Sequence, residues 1–139
     1  MNIPGRKTHM YQAARKHRVV FTTLLILFSS PLAALDIDQL SWTETREKWG
    51  RVLFCQLIYK MPEVKPRLYD FDTKACDKAG QLMMSAAAKY SEQKQVQLKN
   101  QAEQHAVALT YNTNEPYQAV PACREYCQKL AEIQDKRND

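Results

Sequence analysis

From Pro121 the chain reads Pro-Ala-Cys-Arg-Glu-Tyr-Cys, so a proline suited to a helix's first turn is followed by two cysteines four residues apart. On a helix, positions i and i+4 share a face, and Cys123 and Cys127 therefore form two rungs directed at the same neighbour. A bond between them would require sulfurs aimed at each other rather than outward, which disulfide geometry disfavours. Their partners must come from upstream, where Cys55 and Cys76 are the only other cysteines.

The compartment follows from the N-terminus. Arg6, Lys7, Arg15, Lys16 and Arg18 precede an apolar run from Val19 to Phe28, and Ser29 to Ala34 is rich in small residues. This order is that of a secretory signal peptide over residues 1–34, with cleavage after Ala33 or Ala34. The apolar run is about half the ~20 residues a spanning helix needs, and Pro31 interrupts it, so no membrane insertion is expected after cleavage. Four cysteines exported to an oxidising compartment predict two structural disulfides, each worth about 3 to 5 kcal/mol to a small domain over residues 35–139. The expected location is periplasmic or secreted.

Charge excludes further classes. The chain carries 20 Lys and Arg against 15 Asp and Glu, but five of the basic residues lie before position 19. Residues 35–139 are thus balanced, with no electrostatic footprint for nucleic acid or an anionic membrane surface.

The periodicity is helical throughout. Ser41 and Glu44 form a Ser-x-x-Glu capping box opening a first helix, in which Trp49, Leu53 and Leu57 recur every four residues until Pro62 ends it near Met61. Gly50 within that helix costs about 1 kcal/mol and predicts close approach by another element. Asp72 is the expected N-cap of a second helix, whose seam runs through Cys76, Ala79, Met83, Ala86 and Tyr90. A narrower stripe of Leu98, Ala102, His105 and Leu109 follows within a glutamine-rich stretch. As one straight helix, residues 73–111 would be ~57 Å long. The loop from Asn112 to Val120 reaches only ~30 Å, so a turn between Tyr90 and Val96 is favoured although no Gly or Pro marks it. The last helix runs from Pro121 to about Gln134.

The expected fold is all-α, a small disulfide-stapled bundle of three to four helices in up-down order. Counting from these boundaries, Cys55 lies about six residues from the end of the first helix and Cys76 about four from the start of the second. Matching depths predicts Cys55 with Cys127 and Cys76 with Cys123. The alternative, Cys55 with Cys76, would leave Cys123 and Cys127 free or intermolecular.

Catalytic constellations are not apparent. His105 is the sole histidine after position 34, and a lone histidine on a helix stripe is ordinarily a core-edge residue rather than a metal ligand or acid–base group. Only Gly50 and Gly80 remain after residue 34, too few for a phosphate loop or a nucleophile elbow. Pairs such as Glu44 with Lys48 and Glu47 with Arg51 read as solvated helix faces. Cys-x-x-x-Cys also departs from the Cys-x-x-Cys of thiol oxidoreductases. No enzyme activity, cofactor or metal is expected.

What remains is binding. The expected partner surfaces are the glutamine-rich face of Gln93, Gln97, Gln101 and Gln104 and the aromatics Tyr69, Phe71 and Tyr117. The expected function is non-covalent binding to another envelope or secreted protein, as by an inhibitor, an immunity protein or an accessory part of a secretion or conjugation system. A homodimer through the glutamine-rich face is a further expectation. The alternative function is a periplasmic stress chaperone that exposes apolar helix faces.

Overall fold

A computed structural model describes residues 35–139, of which Asp36–Asp139 form one unit. The signal-peptide expectation falls on residues 1–34 and lies outside the described residues. Four helices make up the domain: α1 (Trp42–Tyr59), α2 (Asp70–Ala87), α3 (Glu92–Tyr111) and α4 (Val120–Asn138). Short 3₁₀ turns at Ile37–Gln39, Lys65–Arg67 and Pro116–Ala119 precede α1, α2 and α4. The all-α fold read from the periodicity is the fold observed.

Local chemistry sets most boundaries. Ser41 accepts a hydrogen bond from the Glu44 amide, and the Glu44 carboxylate accepts from the Ser41 amide, which completes the capping box at α1. α1 ends at Tyr59 rather than Met61, because proline disfavours helical backbone in the residue before it and the chain tightens into a turn ahead of Pro62. α2 begins at Asp70, three residues earlier than Asp72 as N-cap would allow. Tyr69 holds the cap position, and Asp72, inside the first turn, accepts the Tyr69 N–H at 2.8 Å. The chain turns after Ala87 and restarts at Ser91, whose hydroxyl accepts from the Lys94 amide, so the break sits at the leading edge of the expected window.

The order of contacts establishes up-down topology. Gln56 on α1 meets Cys76 and Asp77 on α2, and Arg51 and Cys55 of α1 meet Tyr126 and Cys123 of α4, so α1 runs against both. Asp72, Cys76 and Lys78 meet Arg124, Cys127 and Asp135 in turn, so α2 and α4 run together. α3 packs chiefly on the other side of α1.

Having neighbours on two sides, α1 buries Thr45, Trp49, Val52, Cys55, Ile58 and Tyr59 and turns Leu57 outward, 38% exposed. The expected Trp49–Leu53–Leu57 seam is therefore rotated. In α2 the seam of Cys76, Ala79, Met83 and Ala86 is buried as read, whereas Tyr90 lies past the helix end, edge-on to Trp42 at 5.0 Å. Against α3, a β-carbon added at Gly50 would lie 2.6 Å from His105 Cδ2 and 3.0 Å from the Ala102 carbonyl oxygen. Gly50 is thus the point of close helix approach that its position predicted.

Candidate partner-binding surface

The up-down order brings the end of α1 and the starts of α2 and α4 to one end of the domain. Two disulfides fasten them there, Cys55–Cys123 and Cys76–Cys127, with all four cysteines buried. This reverses the expected pairing. The depth argument itself holds, but the boundaries it used were off by two residues at the end of the first helix and by three at the start of the second. Cys55 is four residues from the end of α1 and Cys76 six from the start of α2, while Cys123 and Cys127 stand three and seven from the start of α4. Shallow meets shallow and deep meets deep.

Between the two α4 cysteines, Arg124 reaches α2. Its Nε and Nη2 donate to Asp72 Oδ1 and Oδ2 at 2.8 and 2.9 Å, and Nη2 also reaches the Arg67 carbonyl oxygen at 3.5 Å. Bidentate pairing is the strongest arrangement a guanidinium can make with a carboxylate. Asp72 is 1% exposed. Burial alone would raise its pKa, but the Arg124 hydrogen bonds, the Tyr69 amide and the guanidinium charge together hold it below the ordinary carboxylate value. Beneath this pair Tyr59 is buried with no hydrogen-bond partner for its hydroxyl. Desolvation first, and then the Asp72 charge, push its phenol up to about 12, with Arg124 opposing.

The ion pair anchors an exposed layer of aromatic rings. The Arg124 guanidinium carbon lies 4.6 Å from the Tyr69 ring centre, and Tyr69 stacks on Phe71 with centroids 5.3 Å apart. In the neighbouring loop Arg67 covers Tyr117 at 4.5 Å, and the Tyr117 hydroxyl donates to Glu115 at 3.1 Å. Tyr69, Phe71 and Tyr117 remain 59%, 47% and 36% exposed, so these rings do not close the bundle core. Val64, fully buried, pins the loop instead. A shallow groove between α2 and α4 continues from Phe71 over Ala75 and Ala131, crossed by the Lys78–Asp135 ion pair at 2.9 Å.

The expected partner residues thus fall into two groups. Tyr69, Phe71 and Tyr117 join one surface around Arg67 and Arg124, two arginines that the sequence reading did not single out. The available signal for Arg124 was its place between two cysteines on one helical face. Gln93, Gln97 and Gln104 are exposed on α3, where they line a separate shallow groove. Gln101 accepts from Trp42 Nε1 at 2.9 Å and so belongs to the α1–α3 contact.

His105 is half-buried against Gly50, at the edge of the same contact. Two disulfides in a domain of this size fit an exported, oxidising location. Among the described residues, no helix is long and apolar enough to cross a membrane. No protein-family model, curated protein or solved structure matches the chain.

Proposed function

We propose that the protein is a periplasmic or secreted binder that engages another exported protein through the aromatic and arginine surface at its disulfide-fastened end. An inhibitor, an immunity protein or an accessory part of a secretion or conjugation system would act this way, without covalent chemistry. The observation carrying this reading is the exposed set of Tyr69, Phe71 and Tyr117, each layered against a guanidinium or another ring and backed by the buried Asp72–Arg124 pair. Interface cores are enriched in tyrosine, phenylalanine and arginine, and binding energy concentrates in such anchors when they are held rigid. Here the anchors are ordered before a partner arrives, which lowers the entropic cost of binding.

The double fastening also weighs against a chaperone that works by opening. α4 is bonded to both α1 and α2 at one end of the domain, so those three helices cannot separate there while the disulfides stand.

Affinity for a partner co-purified from producing cells tests the reading. Tyr69→Ala, Phe71→Ala and Tyr117→Ala each remove an exposed ring and leave folding intact. At least one of them is expected to weaken binding more than about tenfold, equivalent to about 1.4 kcal/mol. Unchanged affinity in all three would remove this surface from the proposal.

A further inference from the structure

Two arginines at the fastened end lie over tyrosine rings, Arg124 over Tyr69 at 4.6 Å and Arg67 over Tyr117 at 4.5 Å. They differ in what meets the guanidinium edge. Arg124 donates from Nε and Nη2 to Asp72. The Arg67 side chain is exposed and, among the described residues, takes part in no ion pair and donates no hydrogen bond. The two carboxylates that the fold brings to these rings are engaged already. Asp72 holds Arg124, and Glu115 accepts from the Tyr117 hydroxyl at 3.1 Å and from the Gln118 side-chain amide.

Arg67 is nevertheless fixed in place. Its amide donates to the Val64 carbonyl at 2.9 Å, within a 3₁₀ turn anchored by the fully buried Val64 and stiffened by Pro66, and its own carbonyl accepts from Arg124 Nη2. A guanidinium lying over a ring keeps the N–H donors at its edge available. The segment around it is cationic as well. Residues 60–67 carry Lys60, Lys65 and Arg67 against Glu63 alone, and among the described residues none of the three cations is in an ion pair.

We infer that the Arg67 fork is a carboxylate-binding site, and that the partner engaging the aromatic surface presents an aspartate or glutamate side chain to it beside the Tyr117 ring. This deepens the function proposed above and rests on it. Arg124 with Tyr69 and Asp72 is the same arrangement completed from within the chain; at Arg67 the acid is left for a partner to supply. A partner that covered this surface without an acid would desolvate an unpaired guanidinium, and one presenting lysine or arginine would add like-charge repulsion, so both are selected against. A planar guanidinium takes a carboxylate through two parallel hydrogen bonds, which an ammonium cannot do.

Selection of a displayed library of random peptides on the protein purified with both disulfides intact tests this with no partner in hand. Enriched peptides are expected to share an Asp or Glu and to lose at least about tenfold in affinity against Arg67→Gln. Arg67→Lys keeps the charge without the fork and recovers only part of the loss. Lys99→Gln, on α3, leaves affinity unchanged. Arg67 and Lys99 are exposed, and circular dichroism verifies that the helices remain. Full recovery with Arg67→Lys would overturn the fork. Peptides that lack an acid, or that ignore Arg67→Gln yet are released by Phe71→Ala, would overturn the carboxylate site and leave the aromatic surface standing. Peptides indifferent to both substitutions, or no enrichment at all, would remove the site and the surface together.

Discussion

Arg124 grips Asp72 with two hydrogen bonds of 2.8 and 2.9 Å across 52 residues of chain, joining the second turn of α4 to the first turn of α2. The carboxylate is shut away from water, so removing its partner strands a charge. Arg124→Ala is expected to cost about 3 kcal/mol, the lower end of the range for breaking a buried ion pair from one side. Urea denaturation measures the loss. Asp72→Asn combined with Arg124→Ala should recover part of it, because no buried charge is then left unpaired.

The same pair gives stability a pH dependence at its acid end. Asp72 titrates lower when folded than when unfolded, so the unfolded chain takes up its proton first as pH falls. Its contribution is complete above the ordinary carboxylate range near ~3.9 and is lost as pH drops through the lower folded value. Tyr59 and Tyr126 act in the opposite direction. Burial raises both phenols to about 12 in the fold, so stability falls as pH climbs from the unfolded tyrosine value near ~10 towards 12. Melting temperature against pH should show a decline at each end. An acid limb unchanged by Asp72→Asn would contradict the account of that carboxylate.

Gly50 supplies a packing test. Alanine favours a helix over glycine by about 1 kcal/mol, yet its β-carbon would meet His105 and the Ala102 backbone at 2.6 to 3.0 Å. The clash outweighs the propensity, and Gly50→Ala should destabilise by about 1 to 2 kcal/mol in thermal or urea unfolding. A stabilised variant would mean that α3 moves away from α1 freely.

The sequence made helices legible where the period was long and the cap explicit, as at Ser41 and Glu44 or along Cys76 to Ala86. It also placed Gly50 at a helix crossing before any neighbour was known. What it concealed depended on tertiary context. Leu57 continues the four-residue repeat of Trp49, but the neighbours of α1 lie on two other sides, which only the assembled fold decides. Asp72 resembles an N-cap in isolation, and its role within the first turn follows from Arg124, 52 residues away. That three-residue displacement, with the two-residue one at Tyr59, exchanged the depths of Cys55 and Cys76 and inverted the predicted pairing. The aromatics stood out as candidate surface residues, whereas the arginines behind them did not, since only the fold brings Arg67 to Tyr117 and Arg124 to Tyr69.

Connectivity can be read chemically. Trypsin cuts after Arg124, so Cys123 and Cys127 fall in separate peptides, and mass spectrometry without reduction should recover Cys55 joined to Cys123 and Cys76 joined to Cys127. Replacing either pair with serine opens a loop of 68 or 51 residues, at a cost of about 4 kcal/mol on chain-entropy grounds. The pair variants should therefore unfold at clearly lower urea concentration than the parent, and by similar amounts.

The most direct measurement places a photo-crosslinking side chain at Phe71, at Tyr117 and, for comparison, at Gln97 on α3, in cells that export the protein. If the fastened end is a partner-binding surface, Phe71 and Tyr117 yield one discrete adduct with the same second protein, at a mass other than twice that of the chain, and Gln97 does not. No adduct at the two aromatic positions, or the same adduct with equal yield at all three, would contradict the assignment of that surface.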